Sequence, residues 1–130
     1  MRTFSEFNEY DRLALRTAHH PTGGEEALLY VGCALAGEAG EVANEIKKVS
    51  RDDKGVLSED RRTKIIAEIG DCLWYLNSLA NEIGTTLQWC AMVNIDKLEK
   101  RHADKLVATT GYSPAPEHSV VPVAGSSVRV

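Results

Sequence analysis

Proline is scarce where it would matter most: of four in 130 residues, only Pro21 precedes position 114. A proline inside a helix removes a backbone donor and clashes with the preceding turn, so nothing here interrupts long helices. The alternation of apolar and polar residues that marks a strand is missing from the first 108 residues, which excludes a sheet-based fold there. Cysteine is limited to Cys33, Cys72 and Cys90, without a CxxC spacing; the odd count excludes a paired disulfide framework and implies reduced thiols. Basic excess is absent, with a net charge of −4 and a pI near 5.5, which argues against a nucleic-acid surface. No apolar run approaches membrane-spanning length, and MRTFSEFNEY has no apolar signal-peptide core. These absences predict a single, soluble, cytoplasmic domain with no nucleic-acid or membrane partner.

What is present is helical pattern. The spacing predicts helices from about Phe4 to Ala18, Glu25 to Val49, Glu59 or Asp60 to Ile83, and from after Thr85 to about Val107. Thr3 with Glu6, and Thr85 with Gln88, are spaced as capping boxes; Ser58 is a candidate N-cap and Gly84 a C-terminal stop. HHPTGG and SRDDKGVLSED are connections. Short connections between long helices favour antiparallel neighbours. The expected fold is therefore all-α, an antiparallel four-helix bundle-like domain over 1–108. A flexible tail, rich in proline, glycine and small polar residues, is expected over 109–130.

The chemistry lies in an acidic pattern written twice. Glu38 and Glu41 stand three apart in GEAGEVANEIKK, and Glu68 and Asp71 stand three apart in EIGDCLWYL. Residues three apart are neighbours on a helix surface. At about 100° per residue, Glu38 and Glu41 fall roughly 80° and 140° from the centre of the stripe Leu28, Val31, Leu35, Ala39, Val42 and Ile46. Glu68 and Asp71 fall roughly 90° and 150° from the centre of Ile65, Ile69, Cys72, Leu73, Leu76, Ala80 and Ile83, on the same side. Two antiparallel helices packed stripe to stripe are related by a local two-fold, so equivalent shoulders emerge on one face. Four carboxylates without histidine form a hard oxygen set suited to Mg²⁺ or Mn²⁺, and that cation points to phosphate chemistry. The plainer alternative is a set of ordinary solvated acids. Gly37, Gly40 and Gly70 beside them, each costing roughly 1 kcal/mol in a helix, suggest close approach to the backbone. Glu45 shares the shoulder of Glu38, as a solvated residue or a reserve ligand.

On the last helix Asn94, Lys97 and Arg101 share one stripe that suits polyphosphate, unless it is merely a solvated face. Tyr75 lies one turn beyond Asp71. Trp74 and Trp89 read equally as core or interface, while Phe7 and Tyr10 either cover a nucleobase or pack, with packing favoured.

GEAGEVANEIKK, EIGDCLWYLNSLANEIG and NIDKLEKR together resemble the MazG-like all-α nucleoside triphosphate pyrophosphohydrolases, whose signature is ExxE, then ExxD, then KxxxR on successive helices. The resemblance covers roughly Tyr30 to Arg101. It implies hydrolysis of a nucleoside triphosphate to monophosphate and pyrophosphate. Glu38, Glu41, Glu68 and Asp71 would be the Mg²⁺ ligands, Lys97 and Arg101 would hold phosphate, and Asn94 and Tyr75 would border the nucleotide. It also implies a homo-oligomer, tetramer favoured over dimer. Glu41 is the favoured group to orient or deprotonate the attacking water. Dimeric dUTPase-like members carry EExxE, whereas Gly37 precedes Glu38 here, which counts against a dUTPase. The rival readings are a phosphoribosyl-ATP pyrophosphohydrolase-like enzyme and a non-catalytic helical assembly module. A di-iron site would need Glu-x-x-His on two helices, and neither acidic motif contains histidine.

Overall fold

The structure, a computed structural model, describes residues 6–110. The fold is all-α, with four helices over these residues: α1 (Phe7–Leu15), α2 (Gly24–Arg51), α3 (Glu59–Glu82) and α4 (Leu87–Thr110). No helix among the described residues is long and apolar enough to cross a membrane. Thr3 and Phe4, with the first capping box, lie outside the described residues, as does the expected flexible tail beyond Thr110.

Local chemistry sets the helix ends. Ser58 Oγ accepts from the Arg61 amide at 3.2 Å, the N-cap bond expected for α3. At the other end Gly84 takes a φ of +73°, a conformation that only glycine enters cheaply. Its amide reaches Asn81 O and the Thr85 amide reaches Ala80 O, the pair of bonds that closes a Schellman turn. α1 stops at Leu15, short of Ala18, because the Thr17 amide and Oγ1 both turn back to Ala14 O, at 2.9 and 2.7 Å. α4 begins at Leu87, which makes Thr86 rather than Thr85 the residue before its first turn, and it runs through Thr109 and Thr110.

The chain divides into two compact units, Met1–Leu87 and Gln88–Val130. In the first, α2 and α3 lie along each other and α1 rests on α3. Their antiparallel register shows in three pairings. Glu45 meets Arg61 near the connecting loop, Glu38 approaches Glu68 midway, and the Gly23 amide donates to Glu82 Oε2 at 2.9 Å at the open end. Gly23 and Gly24 both have positive φ, 78° and 83°, so the turn into α2 depends on glycine.

α1 is held by polar bonds. Asn77 and Asn81 both donate to Asp11 Oδ1, at 2.8 and 2.7 Å. Trp74 Nε1 donates to Thr17 Oγ1 at 2.8 Å and to Ala14 O at 3.2 Å. Trp74 is thus a packing residue with a satisfied donor.

The rotation of α2 and α3 differs from the expected stripes. The α2 face turned inward carries Ala27, Val31, Glu38, Val42, Glu45 and Val49, all buried or half-buried. Leu28 and Ile46, expected in the core, are exposed, as are Ile69, Leu76 and Ile83 on α3. The physical reason is Glu45, only 6% exposed. Lys48 and Arg61 both pair with its carboxylate, and Arg61 also binds Asp53 through Nε at 2.7 Å. A buried charge is tolerated when paired in this way, and the pairing turns the acid side of α2 towards α3.

Candidate metal centre

Glu38, Glu68 and Asp71 come together midway along the α2–α3 seam, each offering a carboxylate oxygen within 4.8 Å of the others. The antiparallel register does this, since it sets the ExxE turn of α2 opposite the ExxD turn of α3. Glu38 and Glu68 are half-buried and Asp71 is exposed, so the group opens at one side. Glu41, the fourth acid of the double motif, stands outside this group of three. It is exposed and accepts a long bond from Asn44 Nδ2 at 3.4 Å.

The electrostatics are those of a charge cluster awaiting a counter-charge. Burial, then the charges of Asp71, Glu41, Glu38 and Glu45, push the Glu68 carboxyl above its ordinary value. Burial and the charges of Glu38, Asp71 and Glu68 raise the Cys72 thiol, so it is an inert core thiol rather than a nucleophile. Glu45 behaves in the opposite way: the bonds from Lys48 and Arg61 hold it below the usual glutamate range. It is neither solvated nor a reserve ligand, because its oxygens are already engaged. No Cβ at Gly37, Gly40 or Gly70 would meet anything within 4 Å. Hence the close approach suggested by those glycines is not made by this chain's own described residues.

Two tyrosines, Tyr75 and Tyr10, lie within electrostatic reach of the acids. Burial and a hydrogen bond with Tyr30, together with Glu38 and Asp71, raise the Tyr75 phenol, and burial and Asp71 raise Tyr10. His20 stacks on Tyr30 with centroids 5.9 Å apart and meets Trp74 edge-on at 5.7 Å, while Trp74 meets Tyr75 edge-on at 4.8 Å. His20 Nδ1 donates to Pro21 O at 2.7 Å, and its Nε2 is buried without a hydrogen-bond partner. Tyr75 thus lies within electrostatic reach of Glu38 and Asp71. His20 and Tyr30 carry no assignment from the sequence, and for Tyr10 packing is favoured there over covering a nucleobase. Their only sequence signal was the HHP step before α2, since the contacts span three elements.

In the second unit, Asn94, Lys97 and Arg101 are exposed on α4, as their shared stripe predicts.

Residues 28–105 match the MazG nucleotide pyrophosphohydrolase domain. The chain is also 38% identical over 106 residues to the "Gene 37 protein" of Mycobacterium phage L5, an alignment covering 78% of this chain and 93% of that protein. No solved structure matches.

Proposed function

Since this chain belongs to the MazG nucleotide pyrophosphohydrolase family, we propose that it is a Mg²⁺-dependent hydrolase converting a nucleoside triphosphate to the monophosphate and pyrophosphate. The observation that carries this reading is the convergence of Glu38, Glu68 and Asp71 within 4.8 Å, with Glu68 raised by its neighbours. The donor set fits the cation: three hard oxygens with an open side suit Mg²⁺, or Mn²⁺, which keeps waters and substrate phosphates in its shell. When bound, the ion supplies charge neutralisation on phosphate oxygens and a more acidic water.

The protein's own groups supply the rest. Glu41 keeps a carboxylate free of the group of three, and so suits the role of base that orients and deprotonates the attacking water. The water oxygen forms a bond to the α-phosphorus, the α–β anhydride bond breaks, and the proton passes to Glu41 while pyrophosphate departs. Lys97 and Arg101 take the charge that develops on the leaving phosphates, and Asn94 borders the nucleotide. Tyr75, with Tyr30 and His20, offers ring faces beside the acids for a base.

The domain responsible is 1–108, working as a homo-oligomer on cytoplasmic nucleotides. The departure from EExxE at Gly37 leaves the base and sugar to a panel of canonical and modified NTPs and dNTPs.

Hydrolysis in ¹⁸O-labelled water tests the bond cleaved. Labelled nucleoside monophosphate with unlabelled pyrophosphate is expected. Nucleoside diphosphate with orthophosphate would show that the pyrophosphohydrolase reading is wrong, even with the metal site intact.

A further inference from the structure

The joint between α1 and α3 holds more acceptors than donors. Asp11 Oδ1 takes hydrogen bonds from Asn77 Nδ2 at 2.8 Å and from Asn81 Nδ2 at 2.7 Å. A carboxylate only accepts, so each amide turns its nitrogen to Asp11 and its oxygen is left over. Neither amide can turn round, because its oxygen would then face the carboxylate. Asn81 Nδ2 gives its second proton to Asn77 O at 2.9 Å. Asn77 is 0% exposed, and its Oδ1 is buried without a hydrogen-bond partner. Asp11 is itself half-buried, and no lysine or arginine among the described residues pairs with it.

Two unfavourable terms therefore meet at one place. A buried amide oxygen without a donor keeps the full cost of its desolvation. A carboxylate drawn partly out of water without a counter-charge is unfavourable as well. One small positive charge with a preference for oxygen ligands cancels both. The geometry allows it to reach them together: through its own Nδ2, Asn77 Oδ1 stands within about 5 Å of the Asp11 carboxylate. That is the span one ion bridges when its metal–oxygen distances are about 2.3–2.6 Å.

The chemistry of the donors narrows the choice of ion. They comprise one negative charge and the neutral oxygens of Asn77 and Asn81. Mg²⁺ gives up its waters reluctantly and seeks carboxylates and phosphates, whereas alkali cations exchange water for neutral carbonyl oxygens. A lysine or arginine from another chain is too bulky to enter, since Asn77 Oδ1 has no exposed surface. A water molecule would donate to the oxygens but bring no charge to Asp11. The group is also separate from the three acids. Asp71 lies about 9 Å along α3 from Asn77 and about 15 Å from Asn81.

We propose that Asp11, Asn77 and Asn81 form a binding site for a monovalent alkali cation, Na⁺ or K⁺, which fastens α1 to α3. The same stretch of α1 receives the Trp74 indole through Ala14 O and Thr17 Oγ1, so the ion steadies that contact as well.

Thermal melts of the full chain, without nucleotide and with divalent metals chelated, test the site. NaCl, KCl and tetramethylammonium chloride are compared at equal ionic strength, because the last cation is too large to enter. A saturable rise in Tm with Na⁺ or K⁺ over tetramethylammonium is expected. At ten times the dissociation constant it is an elevenfold shift of the folding equilibrium, or roughly 5 °C for a domain of this size. The rise should be lost in Asp11→Asn and in Asn77→Leu, each checked for unchanged helical circular dichroism, and kept in Glu68→Gln. Equal Tm in the three salts overturns the proposal, since a water then suffices. So does a rise that survives either substitution at the joint. Loss of the rise in Glu68→Gln also overturns it, because the ion then belongs to the acids. Crystals of the wild type grown in RbCl give a reading that depends on no variant. Anomalous density in contact with Asp11 and Asn77 is expected, and its absence there overturns the site. None of these measurements involves turnover, so they stand or fall apart from the ¹⁸O experiment.

Discussion

At Glu68, burial and the charges of Asp71, Glu41 and Glu38 favour the protonated carboxyl in the folded chain, whereas the unfolded chain ionises it at the ordinary glutamate value. The folded state thus binds more protons between those two values, and metal-free stability falls as pH rises through that window. A divalent cation reverses the penalty by replacing repulsion with coordination. Mg²⁺ is therefore expected to raise Tm more at about pH 7.5 than at about pH 5; the whole increment at about pH 7.5 is the equivalent of about 2.7 kcal/mol at a hundredfold excess over its dissociation constant there. Glu68→Gln should raise the Tm of the metal-free protein and abolish that increment, as differential scanning fluorimetry in Mg²⁺ and in chelator would show. Glu41 belongs to another class of residue. It is exposed and outside the group of three, so Glu41→Gln should lower kcat by about 10²-fold or more while Tm and its Mg²⁺ increment change little. Loss of metal binding in this variant would move Glu41 from base to ligand.

At the scale of the elements, α3 is fixed at both ends by bonds that single substitutions remove. Ser58→Ala loses the N-cap and should cost about 1 kcal/mol. Gly84→Ala forces a side chain into positive φ and should cost roughly 1–2 kcal/mol; urea melts monitored by circular dichroism measure both. The Arg61 bridge couples α2, the loop and α3 at once. Glu45 and Asp53 are both held below the usual carboxylate range, by bonds from Lys48 and Arg61 and from Arg61 respectively. Their stabilisation is present above the unfolded carboxylate values and is lost as pH falls through the depressed folded ones. Acid unfolding below about pH 4 should therefore begin at a higher pH in Arg61→Leu than in the wild type.

At the scale of the whole molecule, the proposed chemistry gives separate tasks to the acids of α2 and α3 and to the cations of α4. Lys97→Ala or Arg101→Ala should slow turnover by on the order of 10²-fold through lost leaving-group stabilisation. Neither should disturb the Mg²⁺-dependent rise in Tm, because the acids reside in the first unit. Measuring rate and Tm on the same preparations separates this role from a structural one. If either variant lost the Mg²⁺ increment, the division of labour between the units would be wrong.

Sequence by itself determined the helical class, the ends of α3 and the pairing of the acids. These depend on neighbours within one or two turns: Ser58 on Arg61, Gly84 on Asn81 and Ala80, Glu38 on Glu41, Glu68 on Asp71. Tertiary structure decided which way each helix is turned. The apolar stripe of α2 is wide enough to allow more than one rotation, and the pairing of Glu45 with Arg61, sixteen residues away, selects the one that leaves Leu28 and Ile46 exposed. That rotation decided that three acids, rather than four, meet at close range. It also decided that Glu45 is locked, and that His20, Tyr30, Trp74 and Tyr75 gather from a loop and two helices. No local pattern encodes these results, because each depends on side chains brought together only when α2 and α3 pack.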